Sequence, residues 1–308
     1  MSNPWLYEHR RNVTSQTGED GVVAAIFDKI GVRNKFCVDV GASDGYFISN
    51  SYYWVMEHQW GGCLFEPDPR RFADLSMLYE ARSDVTVFNE ALGANKGIDD
   101  YLDEVGAPND FDLLSIDIDG MDYWIWKAME KYRPRLVIIE VNCSMAPDVH
   151  FIQHKEEDRF GSSAAAMVAL AREKGYELVA HLVSNCIFVR KEDFDAVEVG
   201  DNSLERLFTS PFVPKVISDL DGVHYILKEG PWGFSGTVFA NDARPRETGT
   251  PCAARHERIT DQNGVFRASA GGKFGFEAFI TGPKERKSIL RNFVDTMEVA
   301  FKRREKMR

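Results

Sequence analysis

Through the first two hundred or so positions, short unbroken apolar runs alternate with stretches whose apolar residues recur at helical spacing. The runs Lys35 to Val40, Gly62 to Phe65, Val85 to Asn89, Leu113 to Ile118 and Leu136 to Val141 read as strands. Several are nearly continuous Val, Ile, Leu, Phe and Cys, the content of strands buried on both faces. Between them, Gly21 to Ile30, Ser49 to His58, Pro69 to Ala81 and Tyr123 to Lys131 read as helices. Strand and helix in alternation predict a parallel, doubly wound sheet. Ser162 to Lys174 then reads as a helix by its Ala-rich spacing, and Tyr176 to Val183 and Asn185 to Arg190 as strands separated by one residue. A parallel crossover needs about a dozen residues, so these two strands must form an antiparallel hairpin.

Beyond residue 200 the periodicity weakens, and Gly230 to Phe276, rich in Gly, Pro, Asn, Asp and Arg, reads as loops and short strands. A helical stripe returns at Ile289, Leu290, Phe293, Met297, Ala300 and Phe301, after Pro283. The expected division is an α/β domain over 1–198, with a helical lead-in, and a C-terminal α+β extension over 199–308 serving acceptor binding, a lid or oligomerisation. No internal repeat is evident.

A chain of 308 residues, 44% apolar and 28% charged, has the size and composition of a globular protein with a sizeable core. No apolar run approaches the roughly 18 residues of a spanning helix, and the start, Met1 to Arg11, lacks the apolar stretch of a secretory signal. The expectation is a soluble, cytoplasmic protein. The 37 basic and 48 acidic side chains leave a net charge of −11, which repels phosphate backbones and argues against nucleic acid as partner. Pro283 to Arg308 reverses the balance, as a solvated basic helix end does. Cys37, Cys63, Cys143, Cys186 and Cys252 are odd in number and widely spaced, so they read as buried thiols rather than disulfides or a zinc site.

The sharpest chemical signal is Val38-Asp39-Val40-Gly41-Ala42-Ser43-Asp44-Gly45, a buried strand running into a loop with glycines at Gly41 and Gly45. Those glycines allow a tight turn and close approach to a ligand. A dinucleotide loop is written G-x-G-x-x-G and offers bare N–H groups to a pyrophosphate. The acid at Asp39 instead suits a cofactor carrying an amine and a sulfonium, and D-x-G-x-x-x-G fits S-adenosylmethionine. Glu66, ending the next strand, is placed to accept ribose hydroxyls. Asn89, ending the third, lies where adenine would follow, although a polar strand end explains it equally well.

The fourth and fifth strands end in Asp117-Ile118-Asp119-Gly120 and Glu140-Val141-Asn142. Alternation along strands would set Asp117 with Asp119, and Glu140 with Asn142, at the carboxyl ends where open α/β sheets bind ligands. Gathered in one crevice, Asp117, Asp119, Glu140 and Asn142 would suit a hard cation such as Mg²⁺. The competing reading has Asp117 orient the cofactor's methionine portion while the others organise loops. For the base of a hydroxyl-directed reaction the candidates are His150 and His154, after the fifth strand, with Asp117 and Asp119 on the acceptor side. Tyr46-Phe47, Tyr52-Tyr53-Trp54 and Tyr123-Trp124-Ile125-Trp126 either flank an acceptor pocket or, as their helical setting favours, pack the core.

The antiparallel finish already points toward class I methyltransferases rather than dehydrogenases. Over residues 14–192 the chain resembles the FkbM-type branch of class I S-adenosylmethionine-dependent methyltransferases. The likeness is carried by Ser15-Gln16-Thr17-Gly18-Glu19-Asp20-Gly21, Val38 to Gly45, Phe65-Glu66-Pro67, Ser115 to Gly120 and Asn185-Cys186-Ile187-Phe188-Val189-Arg190. It implies a Rossmann-like methyltransferase fold and methyl transfer mainly to hydroxyls of sugars, glycans and natural products. It also implies cofactor contacts from Gln16, Gly41, Glu66 and Asp117, with Ser43 and Gly45 in the same loop. The branch usually carries Asp-x-Glu-Gly where this chain has Asp117-Ile118-Asp119-Gly120, which leaves Asp119 without an assigned role. A small-molecule or saccharide acceptor is the expected partner, and a homo-oligomer is compatible with the sequence. N-methylation, a nicotinamide oxidoreductase and a non-catalytic cofactor-binding scaffold stand as alternatives.

Overall fold

The computed structural model describes residues 4–93, 96–156 and 161–213, together with five later strand segments. The chain divides into two compact units, Met1–Val213 and Pro214–Arg308. The first opens with α1 (Pro4–Glu8) and α2 (Glu19–Ile30), followed by β1 (Phe36–Val40), a π-helical turn at Tyr53–Glu57 and β2 (Gly61–Phe65). Next come α3 (Pro69–Tyr79), β3 (Val85–Phe88), α4 (Ile98–Glu104), β4 (Leu113–Ile116), α5 (Asp122–Ala128) and β5 (Leu136–Glu140). The unit finishes with α6 (Ala164–Glu173), β6 (Tyr176–Leu182), β7 (Asn185–Arg190), α7 (Lys191–Val197) and α8 (Leu204–Leu207).

Its seven strands form one sheet in the order β3-β2-β1-β4-β5-β7-β6. The first five are parallel, and β7 runs antiparallel to both β5 and β6. This is the Rossmann-like methyltransferase arrangement, mostly parallel with a terminal antiparallel hairpin, as expected from the strand pattern. The central strands β1, β4 and β5 bury Cys37, Val38, Leu113, Leu114, Leu136, Val137 and Ile139 completely, so helices must cover both faces. Strand order reverses between β1 and β4, the kind of point beyond whose carboxyl ends open α/β sheets bind ligands.

Several element boundaries depart from the sequence pattern for local reasons. The helix expected over Ser49 to His58 shrinks to the π-helical turn because Ser49 Oγ accepts the N–H groups of Ser51 (3.2 Å) and Tyr52 (3.0 Å), a side-chain alternative to the helical ladder. The fourth strand stops at Ile116 rather than Ile118, since the Asp122 carboxylate takes the N–H groups of Ile118 (3.1 Å) and Gly120 (3.0 Å) and turns the chain around itself. α1 lies in the expected helical lead-in, whereas α4 and α7 have no counterpart in the sequence pattern. α4 reads Ile-Asp-Asp-Tyr-Leu-Asp-Glu, and its acids at Asp99 and Asp100 complement the positive helix start.

Away from the site, the amino end of the sheet is tied by a buried pair. Asp112 accepts the N–H groups of Arg33, Asn34 and Lys35 and the Arg135 guanidinium at 3.1 Å. Arg135 also donates to the carbonyls of Ile30 and Gly31, closing the carboxyl end of α2. The segment after α8 is fastened as well. Thr209 donates its hydroxyl to the His181 carbonyl (2.6 Å) and its N–H to His181 Nδ1 (3.2 Å). Ser210 Oγ donates to the Cys143 carbonyl (2.5 Å) in the loop after β5.

In the second unit, β8 (Lys215–Ser218), β9 (Val223–Glu229) and β10 (Ser235–Asp242) form an antiparallel sheet in the order β10-β9-β8. A bulge interrupts the ladder between Phe239 and Asn241. β11 (Thr260–Asp261) pairs with β12 (Gly264–Val265). The eight-residue β10 is longer than the short strands expected from the Gly- and Pro-rich composition. The expected C-terminal helix and Cys252 lie outside the described residues. No helix among the described residues is long and apolar enough to cross a membrane.

Candidate active site

The loop after β1 is shaped by its two glycines, but what they approach is protein. Gly41 has φ +93°, and a Cβ there would lie 1.9 Å from the Asp117 carbonyl; Gly45 has φ +79°, and its Cβ would meet Leu75 of α3 at 2.7 Å. Each therefore combines a left-handed backbone with close packing. The N–H groups of Gly41 and Ala42 both reach the Phe65 carbonyl, and Asp117 N–H donates to Val40 O, continuing the β1 ladders into the loop. Ser43 sits at φ 53°, and its N–H donates to Glu66.

Glu66 is anchored through both of its oxygens. It is 4% exposed. One oxygen accepts from Ser43 N–H at 2.8 Å and the other from Asp68 N–H at 2.7 Å. Each carboxylate oxygen has two acceptor positions, so both retain capacity for a ligand hydroxyl. Asn89 donates from its amide to the carbonyls of Glu66 (2.8 Å) and Pro67 (3.1 Å), pinning the turn that follows β2. Its nitrogen is thus engaged by backbone.

Asp39 lies within β1, 3% exposed, and accepts a 2.5 Å hydrogen bond from Ser51 Oγ. Burial pushes its carboxyl up to about 6, opposed by the bonds from Ser51 and Ser115. Gln16 is exposed, in a loop held by the buried acids Glu19 and Asp20. Asp20 accepts the N–H groups of Val13, Thr14 and Ser15. Glu19 accepts from Thr17 N–H at 2.7 Å and from Asn185 Nδ2 at 3.0 Å.

At the ends of β4 and β5, Asp117 and Glu140 are half-buried, and Asp122 is buried behind them. Burial foremost, then the surrounding acids, raises the carboxyls of Asp117 and Glu140 well above their ordinary range. Burial also raises Asp122, against three backbone N–H groups that favour its ionised form. Asp119, exposed and at φ 58°, is off the strand, so alternation does not pair it with Asp117. Its N–H donates to Glu140 at 3.0 Å.

The four expected metal ligands do not form a ligand set: among the described residues, no group of three or more His, Cys, Asp or Glu is arranged to hold a metal ion. Asn142 Oδ1 is occupied by the N–H and hydroxyl of Ser144, at 2.9 and 2.6 Å. His150 and His154 are exposed, in a loop fixed by Trp124 Nε1 donating to the Gln153 carbonyl (2.7 Å). His154 lies 3.9 Å from Glu156, and neither imidazole bonds to Asp117, Asp119 or Glu140 among the described residues. Of the aromatic groups, Trp54, Tyr123 and Trp126 are core, as their helical setting favoured, whereas Phe47 is 44% exposed.

Sequence reasoning missed Asp122 and Asn185 as members of this edge. Asp122 carried a readable signal, an acid at the first position of a helix, one residue after Asp119-Gly120. Asn185 stood out only as the first residue of the Asn185 to Arg190 motif, the strand that became β7.

No protein-family profile matches the chain, and no curated protein matches it. Solved structures with a similar chain trace include the METTL16 MTase domain, 13% identical, with a TM-score of 0.38 over 58% of this chain and 69% of that one. The N-terminal domain of EvdMO1 with SAH bound is 10% identical, with a TM-score of 0.38 over 57% and 80%. The mitomycin 7-O-methyltransferase MmcR is 15% identical, with a TM-score of 0.31 over 55% of each chain. Likeness at these levels carries no argument about activity. The fold assignment rests on the strand order and register of the sheet itself.

Proposed function

We propose that the chain is an S-adenosylmethionine-dependent methyltransferase of FkbM type that methylates a hydroxyl of a sugar, glycan or related small molecule. The observation that carries this reading is Glu66: a buried carboxylate at the carboxyl end of β2, held by Ser43 N–H and its own turn, with acceptor capacity to spare. A carboxylate at that point is suited to ribose hydroxyls, and the acid-lined edge beyond β4 disfavours a pyrophosphate. Bound S-adenosylmethionine supplies an already activated methyl group. The chain's own part is then positioning: Glu66 binds the ribose, the Gly41 to Gly45 loop flanks it, Gln16 closes from the α2 side, and Asp117 faces the reacting end. Asp117, protonated or ionised near neutrality, is also the residue suited to receive the acceptor's proton.

Isothermal titration of the full chain with S-adenosylhomocysteine and with NAD⁺ tests the cofactor assignment. Binding of the first and not the second is expected. Loss of a hydrogen bond to a charged group is worth about 1.5–3 kcal/mol, so Glu66→Gln should weaken S-adenosylhomocysteine roughly tenfold or more. Binding of NAD⁺ alone would overturn the reading in favour of an oxidoreductase. Binding without methyl transfer to any hydroxylated acceptor would favour a scaffold.

A further inference from the structure

The charges that most influence Asp117 are those of Asp122, Asp119, Asp39 and Glu19, and those that most influence Glu140 are Asp117, Asp122 and Asp119, all of them acids. No hydrogen-bond donor reaches the Asp117 carboxylate among the described residues, and the residue is half-buried. A second observation comes from the opposite strand. Asn185 stands directly across the antiparallel ladder from Glu140, so the two side chains leave the sheet on the same face. Asn185 is 2% exposed; its Nδ2 donates to Glu19, and its Oδ1 is buried with no partner. The Glu19 contact fixes which end of the amide is the oxygen, since the reverse orientation would set two acceptors together.

Among the described residues this edge offers acceptors: a carboxylate that receives no donor, a second carboxylate, and a buried amide oxygen that costs about 1–3 kcal/mol while unmet. It is not arranged as a metal centre. We propose that Asp117, Glu140 and Asn185 form a recognition site for an ammonium group on the methyl-accepting substrate, so that the acceptor is an amine-bearing compound, such as an amino sugar, rather than a neutral or acidic one. An ammonium carries three N–H donors and one positive charge, which matches the cluster in both hydrogen bonding and sign. The proposal rests on the methyltransferase reading for the word acceptor, but the recognition itself does not.

The test uses the full chain saturated with S-adenosylhomocysteine and two matched pairs of probes, glucosamine against glucose and benzylamine against benzyl alcohol, with glucuronate as the anionic control. At least a tenfold tighter binding of each amine is expected, with glucuronate weakest. The preference should fall to within about threefold in Glu140→Gln, which keeps the side chain's shape, and independently in Asn185→Ala. Equal or undetectable binding of amine and alcohol overturns the proposal, as does a preference that survives in both variants. A tenfold loss of S-adenosylhomocysteine affinity in the variants also overturns it, by assigning the cluster to the cofactor's own amine. If the wild-type chain discriminates the amines yet binds no S-adenosylhomocysteine, the ammonium site stands and the methyltransferase reading falls.

Discussion

Asp39 links the sequence's most legible motif to a measurable property of the folded chain. Its carboxyl is raised from 3.8 to about 6 by burial. The folded state therefore holds a proton that the unfolded chain releases between those values. Stability associated with Asp39 is complete below about pH 4 and is lost as pH rises through about 6. The separation corresponds to roughly 3 kcal/mol. Asp39→Asn should flatten the pH dependence of the urea midpoint between pH 4 and 6, and should raise stability at pH 8 by on the order of 1–2 kcal/mol. A wild-type slope retained in the variant would assign it elsewhere, with Asp117 and Asp122, raised by the same cause, as the next candidates. The sequence identified Asp39 as the discriminating acid. Its pairing with Ser51 inside the strand is a contact that no local pattern announces.

At the scale of elements, legibility tracked burial. The strand spans Asn185 to Arg190 and, within a residue, Leu136 to Glu140 were readable because both faces are covered and every position is apolar or internally bonded. Strand ends were not, because they are set by single polar contacts such as Asp122 with Ile118 and Gly120. The buried pair of Asp112 and Arg135 joins β1, β4 and the end of α2 in the same way. Removing one partner of a buried pair costs about 3–5 kcal/mol. Asp112→Ala should lower the unfolding free energy by that order in urea, while S-adenosylhomocysteine affinity of the remaining folded protein stays within about twofold. Gly41→Ala is expected to lose both, since its Cβ would displace the Asp117 carbonyl and the backbone is left-handed there.

For the whole molecule, the division at Val213 places Glu66, Asp117, Glu140 and Asn185 together in the first unit. A polypeptide ending at Val213 should therefore bind S-adenosylhomocysteine within about threefold of the full chain, as calorimetry would show. A large loss would mean that the second unit contributes to the cofactor site. The sequence located the change of character near residue 200 through fading periodicity. It did not reveal that residues 204–210 still belong with the first unit, because α8 is a single turn held by Tyr7 and Thr209 rather than by a stripe of its own.

The fastening of Thr209 to His181 and of Ser210 to Cys143 has an evolutionary corollary. Whatever follows Val213 departs from a point nailed to the end of β6 and to the loop after β5. A different downstream module could be spliced on at that seam without altering the layers that precede it, and lineages carrying other tails on the same folded body are the expected trace of such exchange.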